Sequence, residues 1–343
     1  MRPTRPLRLG EAEIHPVRTS DNVELRLTRY RAGGKGPVIL SPGYGTSTLA
    51  LVTDTVDTNF PEYLHERGYD VWLFDYRASP VLASAATQYT VDDIATHDYP
   101  AAVEKVRQVS GAESVQVTAH CVGSMSFTMS LAAGLEGVRS AICSQVAMHP
   151  EVIPLVKVKT KSQLATVLRV LGVKTLTSDY HPEKAVDKVL EKAMHLYPTR
   201  ERCDSPVCRR ILFLYGEVFR HDQLNETTHD AVHEMFGVSN MTIFEHIALI
   251  CNKGHVVDAQ GEETYLPNVA NMDVPITFIH GELNHFFPPK GTESTYDLLR
   301  RTNDPELYRR HLIPHYAHMD VFIGKDASRD VFPMLHDDLE RFN

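Results

Sequence analysis

The stretch V-T-A-H-C-V-G-S-M at residues 117–125 joins an apolar strand to a helix-forming run. Small residues stand two positions before and two positions after Cys121, at Ala119 and Gly123. This spacing is typical of a nucleophile on a tight strand-turn-helix elbow, where the helix crosses close to the strand. The usual motif is G-x-S-x-G, so this chain carries cysteine where serine is common. Cys121 is therefore a candidate nucleophile, and the alternative is a small buried side chain of the core.

The helix that follows Cys121 also predicts a reactive thiol. The positive end of a helix dipole favours negative charge, which lowers the pKa of a thiol placed there. Beside a histidine, such a thiol can rest as a thiolate–imidazolium pair. We therefore expect Cys121 to ionise more readily than a free cysteine.

Strands and helices alternate on both sides of this stretch. Residues 12–30 alternate between apolar and polar side chains around a D-N turn, which predicts a hairpin. Further strands are predicted at residues 37–45, 69–77, 114–119, 139–147, 273–281 and 308–314, and helices at 60–68, 91–109, 123–135, 291–301 and 327–341. Pro100 should kink or split the second of these helices. Apolar strands alternating with helices predict an α/β fold with a mostly parallel sheet and helices on both faces.

The pattern changes between residues 148 and 272. Helical runs are predicted there at 161–172, 184–195, 226–236 and 241–253, without a convincing buried strand. We therefore predict an α/β core of residues 1–147 and 273–343, with residues 148–272 inserted as a helical cap. The apolar helices of such a cap could line a substrate pocket or pack against one another.

The composition is that of an ordinary globular protein. The chain has 343 residues, of which 43% are hydrophobic and 23% charged, and its net charge is −9. Because the sequence has no long basic run, nucleic acid is not expected as a partner. It also has neither 18 consecutive apolar residues nor a secretory signal, so we expect no membrane span and a cytoplasmic location. Five cysteines, an odd and low number, agree with a reducing compartment.

Two later loops supply partners for a catalytic cysteine. H-G-E-L-N-H-F-F-P (280–288) follows one predicted strand, and P-H-Y-A-H-M-D (314–320) follows the next. With Cys121, the chain order is nucleophile, acid position, histidine, each at the carboxyl end of a strand. His318 is the candidate general base of this series.

The acid position departs from the common pattern G-x-x-D-x-x-x-P, because Asn284 stands where aspartate is usual. An asparagine can still orient an imidazole by accepting a hydrogen bond from its N–H, as in Cys-His-Asn proteases. Glu282 is the open alternative, and Asp320 and Glu151 are weaker candidates.

The loop Ser41-Pro42-Gly43-Tyr44-Gly45 and the turn at the nucleophile predict an oxyanion hole. Two backbone N–H groups are needed, and Val122 and Tyr44 are the candidates. A simple glycine turn is the alternative for the loop. Gly43 and His120 are candidate substrate contacts beside the nucleophile.

Polar pairs in the predicted cap have two possible roles. Glu245 and His246 are candidate substrate contacts, and His221 and Asp222 form a similar pair; solvated faces or hydrogen bonds within the cap are the alternative. Cys203-x4-Cys208 does not match a structural zinc site, which wants four ligands in tighter pairs. The nearest histidines, His195 and His221, form no recognisable pattern with it, so neither a metal nor a cofactor is predicted.

Together these loops resemble the α/β-hydrolase superfamily over most of the chain. More closely, A-H-C-V-G-S-M (119–125), L-Y-G-E-V-F-R-H-D-Q-L-N (214–225), F-E-H (244–246) and G-H-V-V-D (254–258) resemble the hydrolase-like modules attached to cholesterol-oxidase-like flavin oxidoreductases. The cysteine elbow is also similar to those of polyhydroxyalkanoate synthases and dienelactone hydrolases. The resemblance implies an α/β-hydrolase fold, but the module carries no settled activity over to this chain. A flavin-binding G-x-G-x-x-G unit is missing from the sequence.

The function expected from these residues is acyl hydrolysis through an acyl-cysteine. The substrate would be a small ester, lactone or thioester with a fairly apolar acyl part. Transfer of the acyl group to an alcohol, amine or thiol is one alternative, and a binding protein without turnover is another. The fold also hosts C–C and C–N lyases, so the fold alone does not decide the chemistry. The oligomeric state stays open, with a homodimer as one option.

Overall fold

The computed structural model describes residues 5–154, 157, 160, 164–181, 183, 192, 194–195 and 199–343. The helix predicted at 184–195 lies almost wholly outside these residues, and the one at 161–172 lies partly outside them. Among the described residues, no helix has both the length and the apolar character needed to cross a bilayer.

A mostly parallel sheet of eight strands forms the centre of the described chain. The strands, with a separate pair β7 and β8, are β1 (Ala12–Arg18), β2 (Glu24–Tyr30), β3 (Pro37–Ser41), β4 (Asp70–Asp75), β5 (Val115–His120), β6 (Val138–Ser144), β7 (Thr175–Thr177), β8 (Val238–Asn240), β9 (Ile276–Gly281) and β10 (Tyr308–Ile313). Their order across the sheet is β1-β2-β4-β3-β5-β6-β9-β10. The β1–β2 and β2–β4 pairs are antiparallel and the other pairs are parallel.

The helices alternate with these strands as the sequence predicts. Those within the described residues are α1 (Phe60–His65), α2 (Val91–Asp93), α3 (Tyr99–Ser110), α4 (Val122–Ala132), α5 (Leu164–Val170), α6 (Pro206–Tyr215), α7 (Glu226–Met235), α8 (Met241–Lys253), α9 (Lys290–Thr302), α10 (Asp320–Ile323), α11 (Ala327–Asp330) and α12 (Phe332–Glu340). The sequence missed α6, while α7 and α8 agree with their predicted ranges.

The burial of the strands explains why they were readable from the sequence. Every residue of β3, β4, β5 and β9 is buried, as expected for strands covered on both sides. The edge strand β1 alternates between exposed and more buried positions, as a hairpin strand should. The carboxyl ends of β5, β9 and β10 lead into the three loops singled out above.

The kink predicted at Pro100 takes the form of a π turn. Five residues, Ile94–Asp98, have π-helical geometry between α2 and α3, and Pro100 lies in the first turn of α3. Proline lacks the N–H that a continuous α-helix needs at this point. The wider turn lets the chain continue as a helix through this position.

Residues 148–272, here called the inserted segment, enter the chain between two strands that pair directly. β6 lies parallel to β9, with Ala141 opposite Ile276 and Ser144 opposite Ile279. The described part of the inserted segment holds α5 to α8. It also holds the short antiparallel pair β7–β8, which the sequence did not single out and which is not fully buried. Its role as a cap and its exact boundaries stay predictions.

Candidate active site

Cys121 lies on a sharp turn between β5 and α4. Its backbone has φ 56° and ψ −124°, a conformation that residues other than glycine rarely adopt. The turn is held by the Cys121 N–H, which donates to the Ser144 carbonyl at 2.9 Å. His120 and Val122 on either side are buried, whereas Cys121 keeps partial exposure. Cys121 is therefore the partly exposed residue of this turn, directly before the helix α4.

Two glycines allow this turn to fit against the loop after β3. A Cβ on Gly123 would collide with the Pro42 carbonyl oxygen and lie 2.9 Å from the Ser41 hydroxyl. A Cβ on Gly43 would lie 3.1 Å from the Cys121 Cβ and 3.7 Å from its sulfur. Gly123, which the sequence singled out, is thus required by the close approach of the Pro42 backbone.

Gly123→Ala should therefore destabilise the protein by about 3 kcal/mol, because the new methyl group meets backbone that cannot move aside easily. Urea unfolding measures the change. Gly33→Ala is the matched control, since Gly33 is exposed and a Cβ there meets no atom within 4 Å. An unfolding free energy for Gly123→Ala within 0.5 kcal/mol of the control would contradict this packing.

Two backbone N–H groups act on the ionisation of the Cys121 thiol. They belong to Val122 and Tyr44, and both act to lower the pKa of the thiol by hydrogen bonding. The loop that carries Tyr44 is held by the inserted segment at three points. The Gly237 N–H donates to the Gly45 carbonyl at 3.1 Å, the Ser47 N–H to the Met235 carbonyl at 3.0 Å, and the Tyr44 hydroxyl to the Asn240 carbonyl at 3.1 Å.

His318 and Asn284 meet in the buried interior beside this turn. The side-chain nitrogen Nδ2 of Asn284 lies 2.9 Å from Nδ1 of His318, and both residues are buried. Glu282 is exposed, and among the described residues its carboxylate accepts one long hydrogen bond, 3.4 Å, from the His315 N–H. Of the two residues left open for the acid position, the structure therefore places Asn284 at the imidazole of His318. The alternative, Glu282 as the partner of His318, is wrong.

The orientation of the Asn284 amide is fixed by a backbone donor at its oxygen end and by the Gln145 side chain at its nitrogen end. The Phe287 N–H donates to Oδ1 of Asn284 at 3.0 Å, so this end must be the oxygen. Nδ2 donates to Oε1 of Gln145 at 2.9 Å, and that oxygen also accepts from the Gly281 N–H at 3.1 Å. Because a backbone N–H can only donate, neither amide can be turned over without losing a hydrogen bond.

This orientation corrects the predicted role of Asn284. We expected its oxygen to accept from the imidazole N–H, but its NH2 group instead donates to Nδ1 of His318. The lone pair of His318 is then on Nδ1 and its proton on Nε2. In this tautomer the ring cannot accept the thiol proton at Nε2.

The ionisation of the pair also differs from the expectation. Burial raises the pKa of the Cys121 thiol to about 12, outweighing the two N–H groups beside it. Burial lowers the pKa of His318 well below its usual value, and the rings of His120 and His280 act in the same direction. Both shifts oppose the predicted thiolate–imidazolium resting pair, because burial favours the neutral thiol and the neutral imidazole.

No family model matches the chain. Human lipase member K is 23% identical over 359 aligned positions, covering 94% of this chain and 86% of that protein. Lipase lipl-1 of Caenorhabditis elegans is 21% identical and covers 95% of this chain and 87% of its own.

Solved structures of an esterase and a lipase resemble this chain along its length. A soluble variant of the Saccharomyces cerevisiae monoglyceride lipase superposes with a TM-score of 0.60 at 16% identity, covering 100% of this chain and 99% of that one. A Pyrococcus furiosus esterase gives 0.57 at 13% identity, with 100% and 98% covered. The chain has the α/β-hydrolase fold. At these identities the structures establish the fold alone.

Within this hydrolase fold, His120 packs against the candidate base, His318. Its ring packs edge-on against His318 with 4.7 Å between centroids, and Nδ1 lies 3.1 Å from the Ser144 hydroxyl. Burial lowers the pKa of His120 to about 3, so the ring is neutral. His120 therefore packs against His318 as a neutral ring. A contact between His120 and substrate stays a prediction.

Two other predicted substrate contacts have structural partners instead. His246 is buried; its Nδ1 accepts from the Val91 N–H at 3.2 Å, and its Nε2 donates to the Val257 carbonyl at 2.9 Å. Glu245 forms an ion pair of 2.9 Å with Arg169. Both ring nitrogens of His246 and the carboxylate of Glu245 are therefore engaged by the protein itself, and a contact of these residues with substrate stays a prediction.

The weaker acid candidates are engaged elsewhere too. Asp320 accepts from the Ala317 N–H at 2.9 Å, and burial raises the pKa of its carboxyl to about 7. Glu151 lies 3.9 Å from Lys157 near the surface.

A small cavity adjoins the site beside Gly43, His120 and Phe322. Its volume is about 10 Å³, enough for one water and far too small for an acyl chain. Sequence reasoning missed Gln145, which fixes Asn284 from the end of β6. Its position after a buried strand was readable, but its positive φ of 72° and the direction of its amide were not.

Proposed function

We propose that this chain is a cysteine-dependent acyl hydrolase that cleaves esters, lactones or thioesters with a fairly apolar acyl part. The observation that carries the proposal is the Cys121 elbow, a strained strand-to-helix turn at which the backbone N–H groups of Val122 and Tyr44 act to lower the pKa of the thiol. The lipases and the esterase to which the chain is similar support an ester as the bond attacked.

In the acylation step, the Cys121 sulfur attacks the substrate carbonyl carbon. The thiol proton passes to Nε2 of His318, and the N–H groups of Val122 and Tyr44 stabilise the oxyanion. Collapse of the intermediate breaks the ester C–O bond, and His318 returns the proton to the leaving alkoxide. The enzyme is left as a thioester on Cys121.

In the deacylation step, water attacks the thioester carbonyl while His318 takes one of its protons. The second tetrahedral intermediate forms in the same oxyanion hole. Its collapse expels the Cys121 sulfur, which recovers the proton from His318, and the carboxylic acid leaves.

The proton path requires a tautomer that the Asn284 amide opposes. For Nε2 to accept, the proton must move to Nδ1, and the amide must rotate so that Oδ1 accepts it. The rotation loses the hydrogen bonds to Phe287 and Gln145, at a cost of about 3 kcal/mol for the two buried groups. The competent tautomer is then populated at roughly 1% or less, and the activity on simple esters is expected to be low.

Acyl transfer is the second candidate function. The observation that favours it is the burial of His318, which is 1% exposed, while the cavity lined by the neighbouring Met319 holds no more than one water. A site that excludes water lets an alcohol, amine or thiol compete for the thioester.

Product analysis tests the function and separates the two candidates. The purified protein is incubated with p-nitrophenyl esters of increasing chain length, with and without an added alcohol, amine or thiol. Hydrolysis predicts free acid in both cases, and transfer predicts acyl-acceptor only when the acceptor is present. Turnover no faster than that of Cys121→Ala across the whole panel would refute both.

A further inference from the structure

Four side chains that ligate metals meet in the inserted segment, apart from the catalytic residues described above. They are Cys203, Cys208, His221 and His229, and their ligand atoms all lie within 4.8 Å of one another. The Cys203 sulfur is 3.3 Å from Nε2 of His229, and the Cys208 sulfur is 3.3 Å from Nε2 of His221. We propose that this cluster binds a structural zinc ion.

The ligand set and its spacing both suit zinc. Two thiolates and two imidazoles form one of the common tetrahedral zinc sites, with bonds of about 2.0–2.3 Å. Ligand atoms around such an ion lie about 3.6 Å apart. The two sulfur–nitrogen distances are near this value already, so small side-chain movements bring all four atoms to the ion.

Hydrogen bonds from neighbouring groups orient the ligand side chains, as is usual in zinc sites. His221 presents Nε2 to the cluster, and its Nδ1 lies 2.8 Å from a carboxylate oxygen of Glu201. Such a carboxylate fixes the tautomer of a zinc-bound histidine and raises its basicity. The Ser205 N–H donates to the Cys203 sulfur at 3.3 Å, which stabilises a thiolate.

Charge also favours a divalent cation at this place. Zinc binding releases both thiol protons, and the two thiolates then balance the 2+ charge of the ion. Glu201, which lies beside Nδ1 of His221, would add one negative charge next to the site. Because four protein ligands leave no open position for a substrate or water, the role is structural rather than catalytic.

The sequence pattern hid this site. Cys203-x4-Cys208 has wider spacing than common zinc motifs, and the partner that completes the set is His229 rather than His195. His229 lies in α7, while His221 lies in a short 3-10 turn and Cys208 in α6. Only the packing of α6 against α7 brings these residues together, so the expectation of no metal site is replaced by this proposal.

A zinc ion here would brace both halves of the candidate active site. The helix of His229 ends at Met235, whose carbonyl holds Ser47 in the loop that carries Tyr44. Near His221, the Val218 carbonyl accepts from the Met319 N–H at 2.7 Å, next to His318. The ion would therefore fix the inserted segment where it touches the oxyanion loop and the histidine loop.

The test is metal content together with the spectrum of the cobalt-substituted protein. Wild type purified without chelator should contain about one zinc per chain. Replacement by Co²⁺ should give the visible bands of tetrahedral cobalt with a thiolate-to-cobalt charge-transfer band. Both readouts are independent of ester turnover, so they stand or fall separately from the proposed hydrolase activity.

Matched variants locate the ion. His229→Ala and Cys203→Ser should lose the zinc and the charge-transfer band. His233→Ala, on the same helix and exposed, and Cys251→Ser, a buried cysteine outside the cluster, should keep both. Wild type that takes up neither zinc nor cobalt would overturn the proposal, as would a Cys203–Cys208 disulfide in protein purified under reducing conditions.

Discussion

Cys121→Ala should lower kcat/KM for ester hydrolysis by about three to six orders of magnitude, down to what the fold provides without a nucleophile. The sulfur is the atom that forms the covalent bond, and no neighbouring side chain at the elbow can replace it. Initial rates with a p-nitrophenyl ester measure the loss. Cys121→Ser should lose nearly as much, because His318 with its proton on Nε2 cannot activate a hydroxyl.

The matched control for this substitution is Cys251→Ala, a buried cysteine in α8 of the inserted segment. It also removes a cysteine sulfur from the protein interior, and its rate of ester hydrolysis should stay within a few-fold of wild type. If Cys121→Ala retained more than a tenth of the wild-type rate while the protein remained folded, Cys121 could not be the nucleophile.

Asn284→Asp should raise kcat/KM by about 10- to 100-fold, which corresponds to about 1.4–2.7 kcal/mol of barrier. A carboxylate oxygen in place of Nδ2 can only accept, so the proton of His318 moves to Nδ1 and the Nε2 lone pair becomes available. Gln145 can follow the change, because its Nε2 is a buried donor without a hydrogen-bond partner among the described residues. Rotating its amide presents that donor to the new carboxylate, at the loss of the hydrogen bond that Oε1 of Gln145 accepts from the Gly281 N–H.

The pH profile gives a second readout of Asn284→Asp. A carboxylate beside the imidazole favours the imidazolium, so the pKa of His318 rises. Since imidazolium cannot accept a proton, the acid limb of the rate profile should move to higher pH than in wild type. The exposed residue Asn268 offers the control Asn268→Asp, which should change neither the rate nor the profile. A lower rate for Asn284→Asp would show that the Asn284 amide already accepts from His318 and would refute the assigned tautomer.

The central sheet could be predicted because its strands are buried on both sides. Strands such as β4 and β5 are unbroken apolar runs, and the helices between them are closed by glycines or begun by capping residues. The inserted segment was harder, because its short β7–β8 pair has no apolar run to mark it. α6 begins at Ser205-Pro206, a signal that could have been read.

The candidate site was predictable in position and not in detail. The chain order of Cys121, Asn284 and His318 follows from the strands that precede them, and the oxyanion N–H groups follow from the two glycine-containing turns. The direction of the Asn284 amide depends on Phe287 and Gln145, whose contacts exist only in the folded chain. The pKa values likewise depend on how deeply the site is buried, which no motif records.

The central claim, that Cys121 becomes acylated, is tested most directly by intact-mass spectrometry with a β-lactone that carries an apolar chain. Ring opening by the thiol leaves a thioester and adds the full mass of the lactone. We expect one added lactone per chain, located at Cys121 by peptide fragmentation and missing from Cys121→Ala. Acylation of another residue, or ester turnover without any addition at Cys121, would contradict it.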